Sequence, residues 1–247
     1  PFFIMRGFRN RCILTSDDSP ITTLSDLRGK RIGLSGWQDS GNTWTRSLLL
    51  EAGVPVDSIQ WTLSRMTAAD RIDPERGKQF WDDRVVFHDP DETPLVDLLK
   101  AGKIDAIFQA FMPADFYSEG YGLRQLQPDF VSQEKAWFGR AGFVPGIHIL
   151  AMKADFIAAH PEAPRQLCEL LRDSQNLWLA KRRKYFETTP WLIADLIDMA
   201  KSLPEDWDPV GLEPNRRMLD EFARQQYLQK LTPVQRDADF LFPVKTI

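Results

Sequence analysis

The amino-acid sequence predicts an α/β protein containing a parallel sheet, on three observations. Segments typical of strands and of helices alternate between about residues 28 and 110. The segments that follow residue 164 are helical almost to the end of the chain. Hydrophobic residues make up 43% of the 247 residues, which supports a sizeable core and excludes a disordered chain. This length allows one large domain or two modest ones.

The first part of the chain carries the alternation. The predicted elements are a strand over residues 2–15, a short helix over 22–27, a strand over 31–34, a helix over 42–53, a strand over 59–63, a helix over 93–99 and a strand over 104–108. Asn42 is a suitable N-cap for its helix, and Gly53 is a suitable terminator. Thr93 is the predicted cap of the next helix, with Pro94 in the first turn.

The second part of the chain begins with one more strand, predicted over residues 147–152, and then becomes helical. Helices are predicted over residues 164–186, 190–201 and 214–228. Each begins near a proline and carries apolar residues at helical spacing. No internal repeat interrupts this order.

Composition excludes several classes of partner. Lys and Arg number 31 against 35 Asp and Glu, so a net charge of −4 offers no general attraction for nucleic acid or for an anionic membrane. No apolar run approaches the ~20 residues of a membrane helix, so we expect no membrane insertion.

The sequence does not fix the cellular compartment. Cys12 and Cys168 form no Cys-x-x-Cys pair and leave the redox compartment open. The chain opens with Pro1, so a trimmed or incomplete product is expected and the compartment stays open.

The sequence predicts neither a cofactor nor a metal. It contains no Gly-x-Gly-x-x-Gly, no phosphate-binding loop ending in Gly-Lys-Ser/Thr and no Gly-x-Ser-x-Gly. The three histidines, His88, His148 and His160, lack the paired spacing of zinc ligands. The segment from His88 to Glu92 holds metal-capable side chains, but its proline and its crowding favour a solvated loop before Thr93.

The loop over residues 35–43 is a candidate ligand site, because it follows a strand at the sheet edge where α/β proteins bind ligands. Gln38 and Thr43 could donate to a carboxylate near the helix N-terminus. Polar loop residues also serve purely structural roles, and that alternative stays open. Arg46 lies one turn inside the helix, where it could point to solvent. Trp44 could stack on an aromatic ligand, although its spacing from Leu48 equally suits a core position.

The segment Leu24-Ser25-Asp26-Leu27-Arg28-Gly29-Lys30-Arg31-Ile32-Gly33 resembles the opening of the second lobe in type 2 periplasmic solute-binding proteins. Further motifs, in the same order along nearly the whole chain, are similar to the 4,5-dihydroxyphthalate decarboxylase family, which shares that fold. These motifs are Arg6-Gly7-Phe8-Arg9, Gln38, Trp44-Thr45-Arg46, Phe143-Val144-Pro145-Gly146-Ile147-His148 and Gly211-Leu212-Glu213-Pro214-Asn215-Arg216.

The resemblance implies a two-lobed, type 2 periplasmic-binding-protein-like fold with a ligand cleft between the lobes. It also implies that the N-terminal part of lobe one is missing from this chain. Residues 1–20 would end lobe one and form a hinge strand, residues 21–145 would form lobe two, and residues 146–247 would return to lobe one and add C-terminal helices. The implied partner is a small anionic aromatic ligand, and a homo-oligomer is possible.

The resemblance also implies roles for individual residues. Arg6 and Arg9 are candidate carboxylate clamps; the alternative is a pair of exposed charges on an edge strand. His148 is the candidate proton donor, on the strand face opposite Ile147, and its alternative is a hydrogen-bonded structural histidine. Asn10 stands where the family usually has His, and an amide cannot donate a proton near neutral pH.

Two functions are consistent with these residues. The first is a cofactor-free decarboxylase that binds a hydroxylated aromatic carboxylate such as 4,5-dihydroxyphthalate and removes one carboxyl group as CO2. That lyase would be cytoplasmic, and it is the hypothesis we favour. The second is the substrate-binding protein of an ABC-type transporter for a small organic anion, which would be periplasmic and would carry out no chemistry. One scaffold serves both purposes, so the fold alone does not separate them.

Overall fold

A computed structural model describes residues 1–73, 75, 77–80, 86–89, 91–186 and 188–244. Its strands and helices are β1 (Phe3–Arg6), β2 (Ile13–Ser16), β3 (Arg31–Leu34), α1 (Ser40–Glu51), β4 (Gln60–Leu63), β5 (Val86–His88), α2 (Leu95–Lys100), β6 (Ala106–Phe108), β7 (Leu123–Gln125), α3 (Phe130–Ala141), β8 (Gly146–Ile149), α4 (Ala154–Ala159), α5 (Ala163–Arg182), α6 (Leu192–Ser202), α7 (Leu212–Leu228) and α8 (Ala238–Leu241). Five short 3-10 turns occur among these residues, and one of them, Asn10–Cys12, lies between β1 and β2.

The chain divides into two compact units, each assembled from separate stretches of sequence. Unit 1 comprises Pro1–Gly7, Gly142–Asp220 and Asp237–Ile247. Unit 2 comprises Phe8–Ala141 and Glu221–Arg236. Residues 8–20 therefore pack with the unit that contains most of residues 21–145, and so does the short stretch from 221 to 236.

Unit 2 contains a six-stranded mixed sheet in the order β5-β4-β3-β6-β2-β7. Its four strands from β5 to β6 are parallel, with Ile32 of β3 aligned with Trp61 of β4 on one side and Ala106 of β6 on the other. β2 runs antiparallel to both β6 and β7. The predicted parallel α/β sheet is therefore confirmed, and an antiparallel pair extends it.

Alternation along the strands divides the core of unit 2 into two clusters. Ile13, Ile32 and Phe108 point into the cluster that contains Trp61. Residues adjacent to them in the same strands point to the other face of the sheet, where Leu14 and Ile107 pack with α2. Gly33 makes that packing possible, because a Cβ added there would lie 2.5 Å from Leu95 Cδ2.

Unit 1 contains a two-stranded antiparallel sheet and the long helices α5 and α6. β1 pairs with β8, with Phe3 opposite Ile149 and Arg6 opposite Gly146. Most side chains of these two helices are exposed or half-buried. A pocket of about 780 Å³ between the helices is lined by residues such as Leu179, Met199 and Trp207. Among the described residues, no helix is both long and apolar enough to cross a membrane.

Several predicted elements need correction. The strand predicted over residues 2–15 is two strands, because a 3-10 turn separates β1 from β2. Asn42 is not the N-cap of α1; the helix begins three residues earlier, and Asn42 Nδ2 donates to the Gly36 carbonyl at 2.7 Å. Thr93 is not the cap of α2, which is preceded by Pro94.

Other elements were not predicted, namely β5, β7, α3, α4 and α8. The predicted helices after residue 164 are confirmed as α5, α6 and α7, with ends shifted by up to four residues. Strands β3 and β4 and helix α1 also fall where their apolar spacing predicted them. The missed α3 matters most, because it brings a carboxyl group to the site described next.

Candidate functional site

Arg9 is a buried cation at the N-terminus of α1. The residue is only 5% exposed, and its Nε donates to Thr45 Oγ1 at 3.4 Å. Its guanidinium lies against Gly41 in the first turn of the helix, where an added Cβ would be 2.8 Å from Nη2. Glycine therefore leaves the room that this arginine occupies. Burial lowers the pKa of Arg9 below its usual value, because desolvation disfavours the charged form.

Few groups compensate the Arg9 charge. Asp39 and Glu134 are near enough to stabilise it electrostatically, yet neither forms a salt bridge with it in the described part of the chain. Within the same part, Nη1 and Nη2 have no hydrogen-bond partner. The N-cap residue of α1, Asp39, makes no side-chain cap hydrogen bond, so this helix end is not closed by its own side chain. A buried guanidinium and a helix N-terminus together favour an anion.

Glu134 of α3 lies beside the turn that carries Asn10. The backbone N–H groups of Arg11 and Asn10 are near enough to favour its charged form, while Oε1 is buried and has no partner among the described residues. Desolvation outweighs these donors and raises the pKa of Glu134 to about 7. Burial likewise raises the pKa of the neighbouring Cys12 thiol. Glu134 was not among the predicted site residues, because the apolar spacing of the sequence did not predict α3.

Asn10 is buried beside this carboxyl group. Its Nδ2 donates to Gln127 Oε1 at 3.0 Å, which holds the amide in place. The Asn10 side chain is therefore held by Gln127, and its backbone N–H favours the charged form of Glu134. An amide neither gains nor loses a proton in the neutral range, so any proton needed here must come from another group.

Arg46 is fully buried, and the expectation that it could point to solvent is wrong. Its Nε donates to Gln229 Oε1 at 2.7 Å and its Nη2 to the Trp37 carbonyl at 2.7 Å. The guanidinium carbon lies 4.2 Å from the centroid of the Trp37 ring. Desolvation lowers the pKa of Arg46 to about 9. This arginine is a structural cross-link between α1 and the stretch that contains Gln229.

The other predicted loop residues make mostly internal contacts. Thr43 Oγ1 donates to the Asp39 carbonyl at 3.2 Å. Trp44 is buried, and its ring centroid lies 5.3 Å from that of Phe222, so a core role accounts for it. Gln38 differs, because its Oε1 is buried and has no hydrogen-bond partner in the residues that the structure describes.

Arg6 and His148 belong to unit 1. Arg6 forms a salt bridge with Asp208 through Nε, and its Nη2 donates to Asn215 Oδ1 at 2.6 Å and to the Pro209 carbonyl at 3.0 Å. His148 is exposed on β8, in register with Met5. The structure therefore brings six predicted site residues into unit 2, which are Arg9, Asn10, Gln38, Thr43, Trp44 and Arg46.

The structure also describes most of the segment from His88 to Glu92. Asp91 is exposed, as the predicted solvated loop requires, whereas Asp89 is buried and its Oδ2 accepts the Thr93 N–H at 2.7 Å. The His88 side chain and Pro90 lie outside the described residues. No group of three His, Cys, Asp or Glu side chains suitable for a metal ion occurs among the residues that are described.

Comparison with known proteins finds one matching family model and two relatives that share a name. The family model described as "NMT1/THI5 like" matches residues 8–74, which include Arg9 and all of α1. A 4,5-dihydroxyphthalate decarboxylase from Comamonas testosteroni is 24% identical over 236 residues, which are 94% of this chain and 71% of that protein. One from Pseudomonas putida is 30% identical over 117 residues, 47% of this chain and 45% of that protein.

Among solved structures, the periplasmic aliphatic sulphonate binding protein SsuA from Escherichia coli aligns with a TM-score of 0.38 and 19% identity, over 93% of this chain and 64% of that one. The two decarboxylases and the family model agree with the motifs found in the sequence. The chain is thus similar to the 4,5-dihydroxyphthalate decarboxylases along most of its length, and its mixed α/β sheet agrees with the predicted fold class.

Proposed function

We propose that this protein binds a small aromatic carboxylate through Arg9 in unit 2 and removes one carboxyl group as CO2. The observation that carries the proposal is the Arg9 guanidinium, which is 5% exposed and has no salt-bridge partner in the described part of the chain. A buried charge without a partner is costly, and a bound anion would offset that cost.

A carboxylate is the anion that best matches this environment. Guanidinium groups bind carboxylates with two parallel hydrogen bonds, and Nη1 and Nη2 of Arg9 are the donors left for that purpose. The N-terminal turn of α1, in which Gly41 lies against the guanidinium, adds further attraction for negative charge. The names of the two relatives specify a hydroxylated aromatic dicarboxylate, which presents such a group.

Decarboxylation of such a ligand requires little beyond positioning and one acid. A hydroxyl group para to the leaving carboxyl pushes electron density toward the ring carbon, which accepts a proton. The carbon–carbon bond then breaks, its electron pair returns to the ring, and CO2 departs. Arg9 holds the carboxyl group that is retained, so the ring is oriented while the other group leaves. The proposed reaction needs neither metal nor cofactor.

A second function is favoured by one observation, the amide at position 10. Asn10 cannot transfer a proton, and His148, the histidine predicted for that task, is exposed in unit 1. A protein that only captures the carboxylate, as the substrate-binding component of an ABC-type transporter does, would need no acid. The lyase would act in the cytoplasm and the binding protein in the periplasm.

A thermal-shift titration with an assay for CO2 distinguishes these functions. Benzoate, phthalate and 4,5-dihydroxyphthalate are each added to the purified protein, and we expect the carboxylates to raise its melting temperature. Release of CO2 from the hydroxylated compound supports the lyase, whereas stabilisation with the compound recovered intact supports the binding protein.

The variant that tests the site is Arg9→Gln. It removes the guanidinium while keeping a polar side chain, and we expect it to abolish the thermal shift produced by benzoate. Arg71→Gln is the matched control, because Arg71 is exposed in the same unit and loses the same charge. If Arg9→Gln is stabilised by benzoate as much as Arg71→Gln is, the ligand does not bind at Arg9.

A further inference from the structure

We propose that Glu134 is the acid that delivers the proton to the ring carbon from which CO2 leaves. This inference rests on the ligand site proposed at Arg9, and it gives the chemical step to a residue that the sequence motifs do not mark. Three properties of the carboxyl group carry it: its position beside Arg9, its unpaired oxygen and its protonation.

The position of Glu134 follows from α3. Phe130, Glu134 and Trp137 are spaced by four and three residues, so they share one face of the helix. Trp137 is buried on that face, and its Nε1 donates to Glu51 Oε1 at 3.0 Å. The face therefore packs into unit 2 and brings the Glu134 carboxyl group beside the turn Asn10–Cys12, which α3 contacts.

The unpaired oxygen distinguishes this carboxyl group from one with a purely structural role. A glutamate that only capped the turn at Asn10 would be stabilised as an anion, with its oxygens satisfied by donors. Glu134 Oε1 is instead buried and has no hydrogen-bond partner among the described residues. When such an oxygen carries a proton, its O–H group can form a hydrogen bond to a ligand, and the oxygen then has a partner.

The protonation of Glu134 suits an acid that works near neutral pH. Burial raises the pKa of Glu134 to about 7, although Arg9, Arg11 and two backbone N–H groups favour its charged form. The other titratable groups facing this cluster are Cys12, whose thiol is neutral, and Asp39, which lies near Arg9. A general acid is most effective when its pKa is close to the working pH.

The Glu134 O–H bond breaks and its proton forms a C–H bond at the ring carbon that bears the leaving carboxylate. The ring supplies the electron pair for that bond, assisted by the para hydroxyl group. The carbon–carbon bond to the carboxylate then breaks, its pair restores the aromatic ring, and neutral CO2 leaves. Glu134 is left as a carboxylate and regains its proton from water.

The first test of this role is the isosteric variant Glu134→Gln, which keeps the shape of the side chain and cannot donate that proton. We expect it to bind benzoate at least as well as the wild type and to release CO2 from 4,5-dihydroxyphthalate at least ~100-fold more slowly. Glu119→Gln, an exposed glutamate of the same unit, is the control and should retain the full rate. Release of CO2 by Glu134→Gln at the wild-type rate would overturn the proposal.

The second test does not depend on activity. Benzoate is fully ionised between about pH 6 and pH 8.5, so any change of its affinity in that range reports on the protein. As Glu134 loses its proton, repulsion between two carboxylates should weaken benzoate binding by about tenfold. Glu134→Gln should show no such change, and Glu119→Gln should behave as the wild type.

The two tests separate this inference from the proposed function. If the wild type binds benzoate equally well from about pH 6 to pH 8.5, Glu134 does not face the ligand and this inference fails. Loss of benzoate binding in Glu134→Gln would also contradict it, since a proton donor is not required for binding. If pH-dependent binding is found but no hydroxylated carboxylate loses CO2, the lyase function fails, and with it the acid role of Glu134.

Discussion

Arg9 and Arg46 are both buried in unit 2, and their partners distinguish their roles. Arg46 donates to Gln229 and to the Trp37 carbonyl at hydrogen-bond distances of 2.7 Å, whereas Arg9 makes a single long hydrogen bond to Thr45. Arg46 Nη1 is buried and has no partner among the described residues, but the residue is fully buried and its Nε and Nη2 are held inside the fold, so this arginine stabilises the fold. Arg9 is 5% exposed and neither of its terminal nitrogens is held in this way, so it is the arginine that a ligand can engage.

The first residue-scale prediction concerns Arg46→Met. Methionine fills a similar volume but leaves Gln229 Oε1 and the Trp37 carbonyl without their donor, so we expect the free energy of unfolding to fall by about 2 to 4 kcal/mol. Denaturant titration followed by circular dichroism measures the change, with Arg71→Gln as the exposed control. Unchanged stability would show that the cross-link contributes nothing.

The second prediction compares two glycines. Gly41→Ala places a Cβ 2.8 Å from Arg9 Nη2, so the guanidinium must move and we expect benzoate to bind at least tenfold more weakly. Gly139→Ala in α3 is the matched control, since nothing lies within 4 Å of a Cβ added at Gly139. It should stabilise the protein by about 0.5 to 1 kcal/mol and leave binding unchanged. Calorimetry measures the affinity of each variant for benzoate. Equal affinities would show that the space at Gly41 does not matter for ligand binding.

The third prediction is the pH dependence caused by Glu134. The pKa of this carboxyl group is about 7 in the folded protein, against 4.5 as its ordinary value. Between those values the folded state holds more protons than the unfolded state, so stability declines as pH rises from about 4.5 to about 7. Glu134→Gln lacks this contribution. We therefore expect the variant to gain stability relative to the wild type as pH rises, measured by denaturant titration at about pH 5 and pH 8; a constant difference would contradict the raised pKa.

At the scale of elements, apolar spacing predicted the strands and helices that bury a clear face. Ile32 and Leu34 of β3 and Leu48 and Leu49 of α1 are buried as their spacing indicated. Helix ends were predicted less well. Asn42 has the chemistry of a cap, but its side chain binds the Gly36 carbonyl of the preceding loop. That partner depends on the path of the loop, which residue types alone do not specify.

Helix α3 was missed because its sequence offers a weak apolar pattern. Of its twelve residues only Trp137 is buried, and Val131 is exposed although it is apolar. The signal that could have found Glu134 is the spacing of Phe130, Glu134 and Trp137, which places a carboxyl group on an aromatic face. A carboxyl group in that setting is expected to have a perturbed pKa and to be a functional candidate.

At the scale of the whole molecule, each unit is assembled from separate stretches, and in each unit one arginine with a buried side chain links two of them. Arg46 links residues 8–141 to Gln229 within unit 2. Arg6 links the N-terminal stretch of unit 1 to Asp208 and Asn215. The family resemblance marked Arg6, Arg9 and Arg46 alike as site residues. A motif shows that an arginine is present, but it does not show which groups its guanidinium contacts.

The last prediction tests whether Arg6 serves the fold or the ligand. Arg6→Met removes the salt bridge to Asp208 and the donor of Asn215 Oδ1, so we expect the free energy of unfolding to fall by about 2 to 3 kcal/mol. In a double-mutant cycle with Asp208→Asn, the coupling measured by denaturant titration should exceed about 1 kcal/mol. Benzoate should bind folded Arg6→Met as it binds the wild type, because Arg9 is intact. Loss of benzoate binding with no loss of stability would instead make Arg6 a carboxylate clamp.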